Sequence, residues 1–269
     1  MYESSRLHPA LRRALALSAP HAPDKGLLRP LGVEPVDRAL GGGLAAGACH
    51  ELFARADGGA SGDMSATGFA LMLAQRLMKP GEPMLWLREE KAQRRATLSG
   101  PGLADLGFDP DRLVLGLLPD ARALLRAGVD ALRATGALGA VLIEMAGHAP
   151  LLDLTASRRF ALAAEASGVT LLLLRTGGAK PAPSAARTRW DIGPSPSLRL
   201  EADAPGHPML AVTLLRQRGG PAGFQWTLEW DRDAGLFRPA AFPGARLPLA
   251  GSGSHPAAGA DGAGWRLAG

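Results

Sequence analysis

Residues 51–75 read ELFARADGGASGDMSATGFALMLAQ. A strand-like start, Glu51-Leu52-Phe53, runs into a glycine-rich loop, and the loop runs into an apolar helix over Gly68–Met78. That frame is the one in which proteins hold phosphates. Backbone N–H groups wrap the oxyanion, and the helix N-terminus favours negative charge. A working phosphate loop adds a lysine for the β- and γ-phosphates and a hydroxyl for magnesium. Here Gly58, Gly59 and Gly62 offer the backbone, but no lysine lies between Lys25 and Lys79. Ser61-Gly62 is followed by Asp63, whose carboxylate would repel a triphosphate. Arg55 precedes the glycines, and Ser65 and Thr67 offer only hydroxyls. Gly58, Gly59, Ser61, Gly62 and Asp63 therefore read as a degenerate phosphate loop, and no cofactor is expected.

Working outward, short apolar runs alternate with helical patterns. Strands are expected at Ala48–Phe53, Met84–Arg88, Leu113–Leu117, Ala140–Ile143 and Val169–Leu174. Helices are expected over Glu89–Leu98, Asp120–Thr135 and Thr155–Ser167, the last capped by Asp153 or Thr155 and stopped by Gly168. Nearly continuous apolar strands joined by helices argue an α/β fold: a mostly parallel twisted sheet with helices on both faces. Leu198–Ala202, Met209–Gln217 and Gln225–Asp231 look like strands without intervening helices. The last two flank Gly219-Gly220-Pro221 and predict an antiparallel C-terminal edge hairpin.

Residues 1–29 read as an arm whose short helix, His8–Ala19, sets Leu11 and Leu15 on one face. Residues 30–238 form the core, and 239–269 a tail rich in Gly, Ala and Pro. The chain has 269 residues, 46% hydrophobic and 20% charged, enough for a buried core. Cys49 is its single cysteine, so no intramolecular disulfide forms. The six histidines are scattered without ligand spacing, so no metal site is expected. No basic-then-apolar leader and no run of 18 apolar residues is present, which predicts a cytoplasmic chain without a membrane partner. The net charge is +5, and only four of the 30 basic residues are lysine. Arginine excess suits phosphate or carboxylate recognition, and it equally reflects a general composition bias.

The order of these pieces resembles the RecA recombinase core over roughly residues 30–235. LGVEPVDRALGGGLAAGACHELF (31–53) looks like the family's lead-in to its first core strand. WLREEKAQRRA (86–96) sits where the second strand ends in acidic residues. LGFDPDRLVLGLLPDARALLRAGVDALRATGALGAVLIEMAG (106–147) follows the run to the Walker-B strand. RRFALAAEASGVTLLLLRT (158–176) and ARTRWDIGPSPSLRLE (186–201) match the segments after it. Within that superfamily the chain is most similar to the ImuA family, the RecA/SulA-like proteins of bacterial damage-inducible mutagenesis cassettes. The shared features are the missing phosphate-loop lysine, Thr188-Arg189-Trp190 followed by Pro194-Ser195 and Pro196-Ser197, and the LLRQRGG…WTLEWD ending (214–231).

The resemblance implies a non-catalytic accessory role in SOS-induced translesion synthesis, nucleoid-associated when in complex. Its implied partners are an ImuB-type Y-family-like protein and an error-prone replicative-type polymerase, with RecA as a further candidate. It also places vestigial ATPase positions at Glu90, or its neighbour Glu89, and at Glu144; the γ-phosphate sensor falls near Gly177. The interval from Phe53 to Phe69 is several residues longer than the family's loop. The stretch 176–190 corresponds to a loop that contacts single-stranded DNA in RecA relatives. Arg175, Lys180, Arg187, Arg189 and Trp190 are the candidate contacts, since basic groups beside an aromatic suit backbone charge and base stacking. The alternative is that Trp190 packs on the core and the arginines solvate a linker. Leu11 and Leu15 either dock on a protein partner or fold back. Two other functions stay open: a residual nucleotide-dependent DNA-binding ATPase, and a SulA-like regulator that binds FtsZ.

Overall fold

The structure, a computed structural model, describes residues 26–56, 59–134, 137–197 and 206–240. The expected arm helix with Leu11 and Leu15, the strand at Leu198–Ala202 and the tail from 241 lie outside the described residues.

Eleven strands are described. They are β1 (Leu28–Arg29), β2 (Leu44–Ala45), β3 (Cys49–Ala54), β4 (Met84–Glu89), β5 (Leu113–Leu118), β6 (Ala140–Ala146), β7 (Thr170–Thr176), β8 (Thr188–Pro194), β9 (Met209–Gln217), β10 (Gln225–Asp231) and β11 (Leu236–Pro239). Between them run α1 (Glu34–Ala39), α2 (Gly59–Leu77), α3 (Glu90–Arg95), α4 (Gly100–Asp105), α5 (Ala121–Arg133) and α6 (Leu154–Ser167). Nine strands form one sheet, ordered β11-β10-β9-β8-β3-β7-β6-β4-β5. From β5 to β8 every neighbouring pair is parallel. From β8 to β11 every pair is antiparallel. The mostly parallel α/β core with an antiparallel C-terminal edge is thus the architecture that the sequence predicts.

The period of two along each strand divides the core. Leu52, Trp86, Leu142, Leu172 and Trp190 face one side, where they pack with Phe69 and Leu73 of α2. Leu85, Leu87, Val141, Ile143, Leu171 and Leu173 face the other, against Leu124 and Leu132 of α5 and Phe160 of α6. Two-sided burial is why these strands read as continuous apolar runs. The helix ends follow local chemistry. Asp120 and Asp153 accept hydrogen bonds from the N–H groups of Ala123 (2.8 Å) and Ala156 (2.7 Å). Gly168 closes α6 at φ 80°, in the left-handed region.

Four features differ from the sequence reading. First, α2 begins at Gly59, so residues 59–67 belong to the helix and not to a long loop. Gly62 makes this turn possible, because a Cβ there would lie 2.7 Å from the carbonyl oxygen of Arg55. Second, the polar segment after β4 is two short helices, with Ser99 capping the second. Third, β8 is a buried strand between β3 and β9, with a register irregularity between Arg189 and Trp190. Fourth, the core reaches back before residue 30. β1 pairs with β2, and Gly43 leaves no room for a Cβ, which would lie 2.4 Å from the Arg29 carbonyl oxygen.

Among the described residues no helix is long and apolar enough to cross a membrane.

One polar chain crosses the core. The Trp190 indole N–H donates to Thr188 Oγ1 at 2.8 Å. Thr188 Oγ1 lies 2.8 Å from His50 Nδ1, and His50 Nε2 lies 2.9 Å from the Ala45 carbonyl oxygen. A carbonyl only accepts, so Nε2 carries the proton and Nδ1 accepts from the threonine hydroxyl. Burial lowers the His50 pKa to about 4 from an ordinary 6.5. The unfolded chain therefore binds the extra proton first. Stability is fully present above pH 6.5 and falls as pH drops toward 4. Urea titrations across that window should show a His50-dependent slope of at most about 1.4 kcal/mol per pH unit, and a His50→Gln variant should lose that component.

Candidate functional site

In open α/β sheets, ligands bind at the carboxyl ends of the parallel strands. Here the ends of β4, β6 and β7 meet α2 around a cleft of about 190 Å³ lined by Asp63, Thr67, Trp86, Arg88, Glu144 and Gly177. That is below the roughly 300 Å³ of an ordinary small-molecule pocket. Arg95 stands exposed at its rim.

Glu144, the Walker-B-like position, is buried and fully engaged. Its Oε1 accepts from Nη2 of Arg88 at 3.1 Å, and its Oε2 from the Trp86 indole N–H at 3.1 Å. Burial pushes the Glu144 carboxyl above its usual range, and the Arg88 guanidinium pulls it back. Arg88 is fixed in turn, donating from Nη1 to the Ala96 carbonyl (2.9 Å) and to Gln93 (3.1 Å). Asp63 projects from α2 and accepts the backbone N–H of Gly177 at 2.8 Å. The loop position expected to carry a γ-phosphate sensor is thereby tied to the degenerate phosphate loop by a protein carboxylate. The Thr67 hydroxyl donates back to the Asp63 carbonyl at 2.8 Å. Arg55 turns away, with Nε on Asp191 at 2.7 Å.

The remaining phosphate-loop positions divide. Gly59, at φ 51°, opens α2, and Gly62 packs against the Arg55 carbonyl. Ser61 belongs to the first turns of α2, and Gly58 lies outside the described residues. The two acidic candidates after β4 separate as well. Glu89 ends the strand, buried, 2.8 Å from Lys91. Glu90 begins α3, half-exposed, and reaches Arg94 at 3.6 Å. The strand-end carboxylate is therefore Glu89, and Glu90 points to solvent.

The five candidate DNA contacts do not form one surface. Trp190 is completely buried, and its indole serves the histidine chain. Arg175 and Arg189 are 4% and 8% exposed. Both converge on Glu51 of β3: Arg189 Nε donates to Oε2 at 2.9 Å and Arg175 Nη1 to Oε1 at 3.4 Å. The two guanidinium carbons lie 5.2 Å and 5.8 Å from the centre of the Phe53 ring. Lys180 and Arg187 remain exposed. Of the five candidates only Lys180 and Arg187 stay at the surface, because β7 carries Arg175, and β8 carries Arg189 and Trp190, into the sheet.

Arg88 and Glu51 were not singled out from sequence. Glu51 sits within the apolar strand CHELFA, and a buried charge there demands a buried partner. That demand was a usable signal; the identity of the partners depended on finding β8.

The sheet order, the helices on both faces and the strand-end cleft define a RecA-like core. The solved structure of the RadB recombinase matches with a TM-score of 0.51 at 14% identity, covering 76% of this chain and 97% of that one. That likeness concerns the fold alone. The Protein ImuA of Caulobacter vibrioides, in strains NA1000 and CB 15, is 34% identical over 200 residues, covering 70% of this chain and 77% of that protein. No protein-family model matches the chain. On the ImuA match, the chain belongs to the ImuA family.

The buried Arg88–Glu144 pair sets a measurable stability. Arg88→Ala leaves a carboxylate without its cation and should cost about 3–5 kcal/mol in urea unfolding. Replacing both residues together, as Arg88→Met with Glu144→Gln, removes both charges while keeping an acceptor for the Trp86 indole N–H, and should recover part of that loss.

Proposed function

We propose that this protein is a non-catalytic RecA-like scaffold that acts in DNA-damage-induced translesion synthesis. Its partners in this reading are an ImuB-type Y-family-like protein and an error-prone replicative-type polymerase, with the assembly working in the cytoplasm at the nucleoid. Membership of the ImuA family supports the setting. One observation carries the non-catalytic part: the Walker-B-like carboxylate Glu144, and Asp63 of the degenerate phosphate loop, are both engaged by groups of the protein itself. Glu144 is held by Arg88 and Trp86, and Asp63 faces the Gly177 N–H. Phosphoryl transfer needs a lysine and a magnesium ion on the phosphates, with a carboxylate left to serve the metal. A carboxylate already satisfied by an arginine and an indole is a poor candidate for that role, and Asp63 adds charge of the wrong sign.

Partner binding is then independent of nucleotide. Co-expression with the ImuB-type protein, followed by affinity purification, should recover the same complex with and without ATP and magnesium. Recovery that requires ATP would instead favour the residual-ATPase reading.

A further inference from the structure

The outward face of α6 carries leucines where a solvated helix carries polar groups. Leu154 and Leu162 are 37% and 66% exposed, and Leu151, just before the helix, is 43% exposed. Leu154, Arg158 and Leu162 stand four residues apart and so form one row. Opposite the row runs the chain leading into β8, followed by the far end of β9. Between them lies a groove of about 550 Å³, bounded by Leu154, Arg158, Leu162, Ala185, Arg216 and Arg218. It lies on the α5/α6 face of the sheet, away from the α2 cleft, and does not depend on the function proposed above.

Charge chooses among occupants. The groove lining has Arg158, Arg216 and Arg218 against Glu165, which is itself 3.6 Å from Arg218. Arg216 donates to the Ser184 carbonyl at 3.1 Å, and among the described residues no carboxylate pairs with it. The chain's own terminal segments have the wrong sign. Residues 1–25 hold Arg6, Arg12, Arg13 and Lys25 against Glu3 and Asp24, and residues 241–269 hold Arg246 and Arg266 against Asp261. A second copy, at net charge +5, is also cationic. A nucleic acid has the right sign, but no lining residue is aromatic, and the floor is aliphatic. Single strands are held by stacking as well as by charge.

We propose that this groove docks an acidic, leucine-bearing segment of a protein partner. Aliphatic side chains of the segment cover Leu154 and Leu162, and its carboxylates meet Arg158 and Arg216. Charge sets the choice of partner, and the apolar row holds it.

The test is to pan a random peptide library on the intact protein and measure the enriched peptides by fluorescence anisotropy. Enrichment of Asp or Glu together with Leu, Ile or Phe is expected. Leu162→Asp and Arg158→Glu should each weaken those peptides by about tenfold. Both positions are exposed, so circular dichroism should show unchanged folding. A peptide with lysine in place of its glutamates should regain affinity for Arg158→Glu. No enrichment, a basic or neutral consensus, or indifference to both substitutions would overturn the proposal. So would tighter binding of oligothymidylate than of the acidic peptides. Photo-crosslinks from position 162 to residues 1–25 or 241–269 would assign the groove to the chain itself and overturn it too.

Discussion

Glu51 is the constraint around which the centre of the sheet is arranged. It is a carboxylate at 2% exposure in the middle strand of a nine-stranded mixed sheet, with parallel neighbours on both sides. An unpaired charge there is not tolerated, so the strands on either side must each supply a cation. β7 brings Arg175 and β8 brings Arg189. The two arginines also bracket Phe53, so ring and carboxylate together hold three adjacent strands in register. Burial lowers the pKa of Arg175, and Glu51 offsets part of that effect. A buried triad of this kind adds little net stability over apolar packing. Its physical effect is to penalise any register that separates β3 from β7 or β8.

The same logic recurs at the strand ends. Glu144 has Arg88 and Trp86, and Asp63 has the Gly177 amide. In each case a polar group that could have faced a ligand is matched from within the protein. The cleft between α2 and the ends of β4, β6 and β7 is about 190 Å³. The frame of strand, turn and helix persists because α2 also packs against β3, β7 and β8, and that packing is needed whether or not phosphate is held.

Much of the fold was legible because two-sided burial leaves a plain signature. LLLLRT, AVLIEMA and MLWLRE can hardly be anything but buried strands, and the capping pairs Asp120–Ala123 and Asp153–Ala156 lie where helix propensity puts them. β8 was hidden because TRWDIGP mixes charge with apolar groups, and its arginine and aspartate are buried or half-buried by partners distant in sequence. That omission is why Arg189 and Trp190 read as surface residues. Arg189 and Trp190 look like a nucleic-acid surface until β8 is seen to internalise them, and Arg175, at the end of β7, turns in to the Glu51 that Arg189 shares. Likewise the glycines and small residues of 59–67 suit a loop by composition, yet they form the first turns of α2, where Gly62 is required by its close approach to the Arg55 carbonyl. The absence of a phosphate-loop lysine needed no structure.

Glu144 and Asp63 are held by partners within the protein, and the scaffold reading proposed above expects the cleft to take no triphosphate. The most direct measurement is equilibrium titration of the purified protein with a fluorescent ATP analogue in magnesium. No saturable binding up to about 1 mM is predicted. Saturable one-to-one binding, displaced by unlabelled ATP, would contradict it.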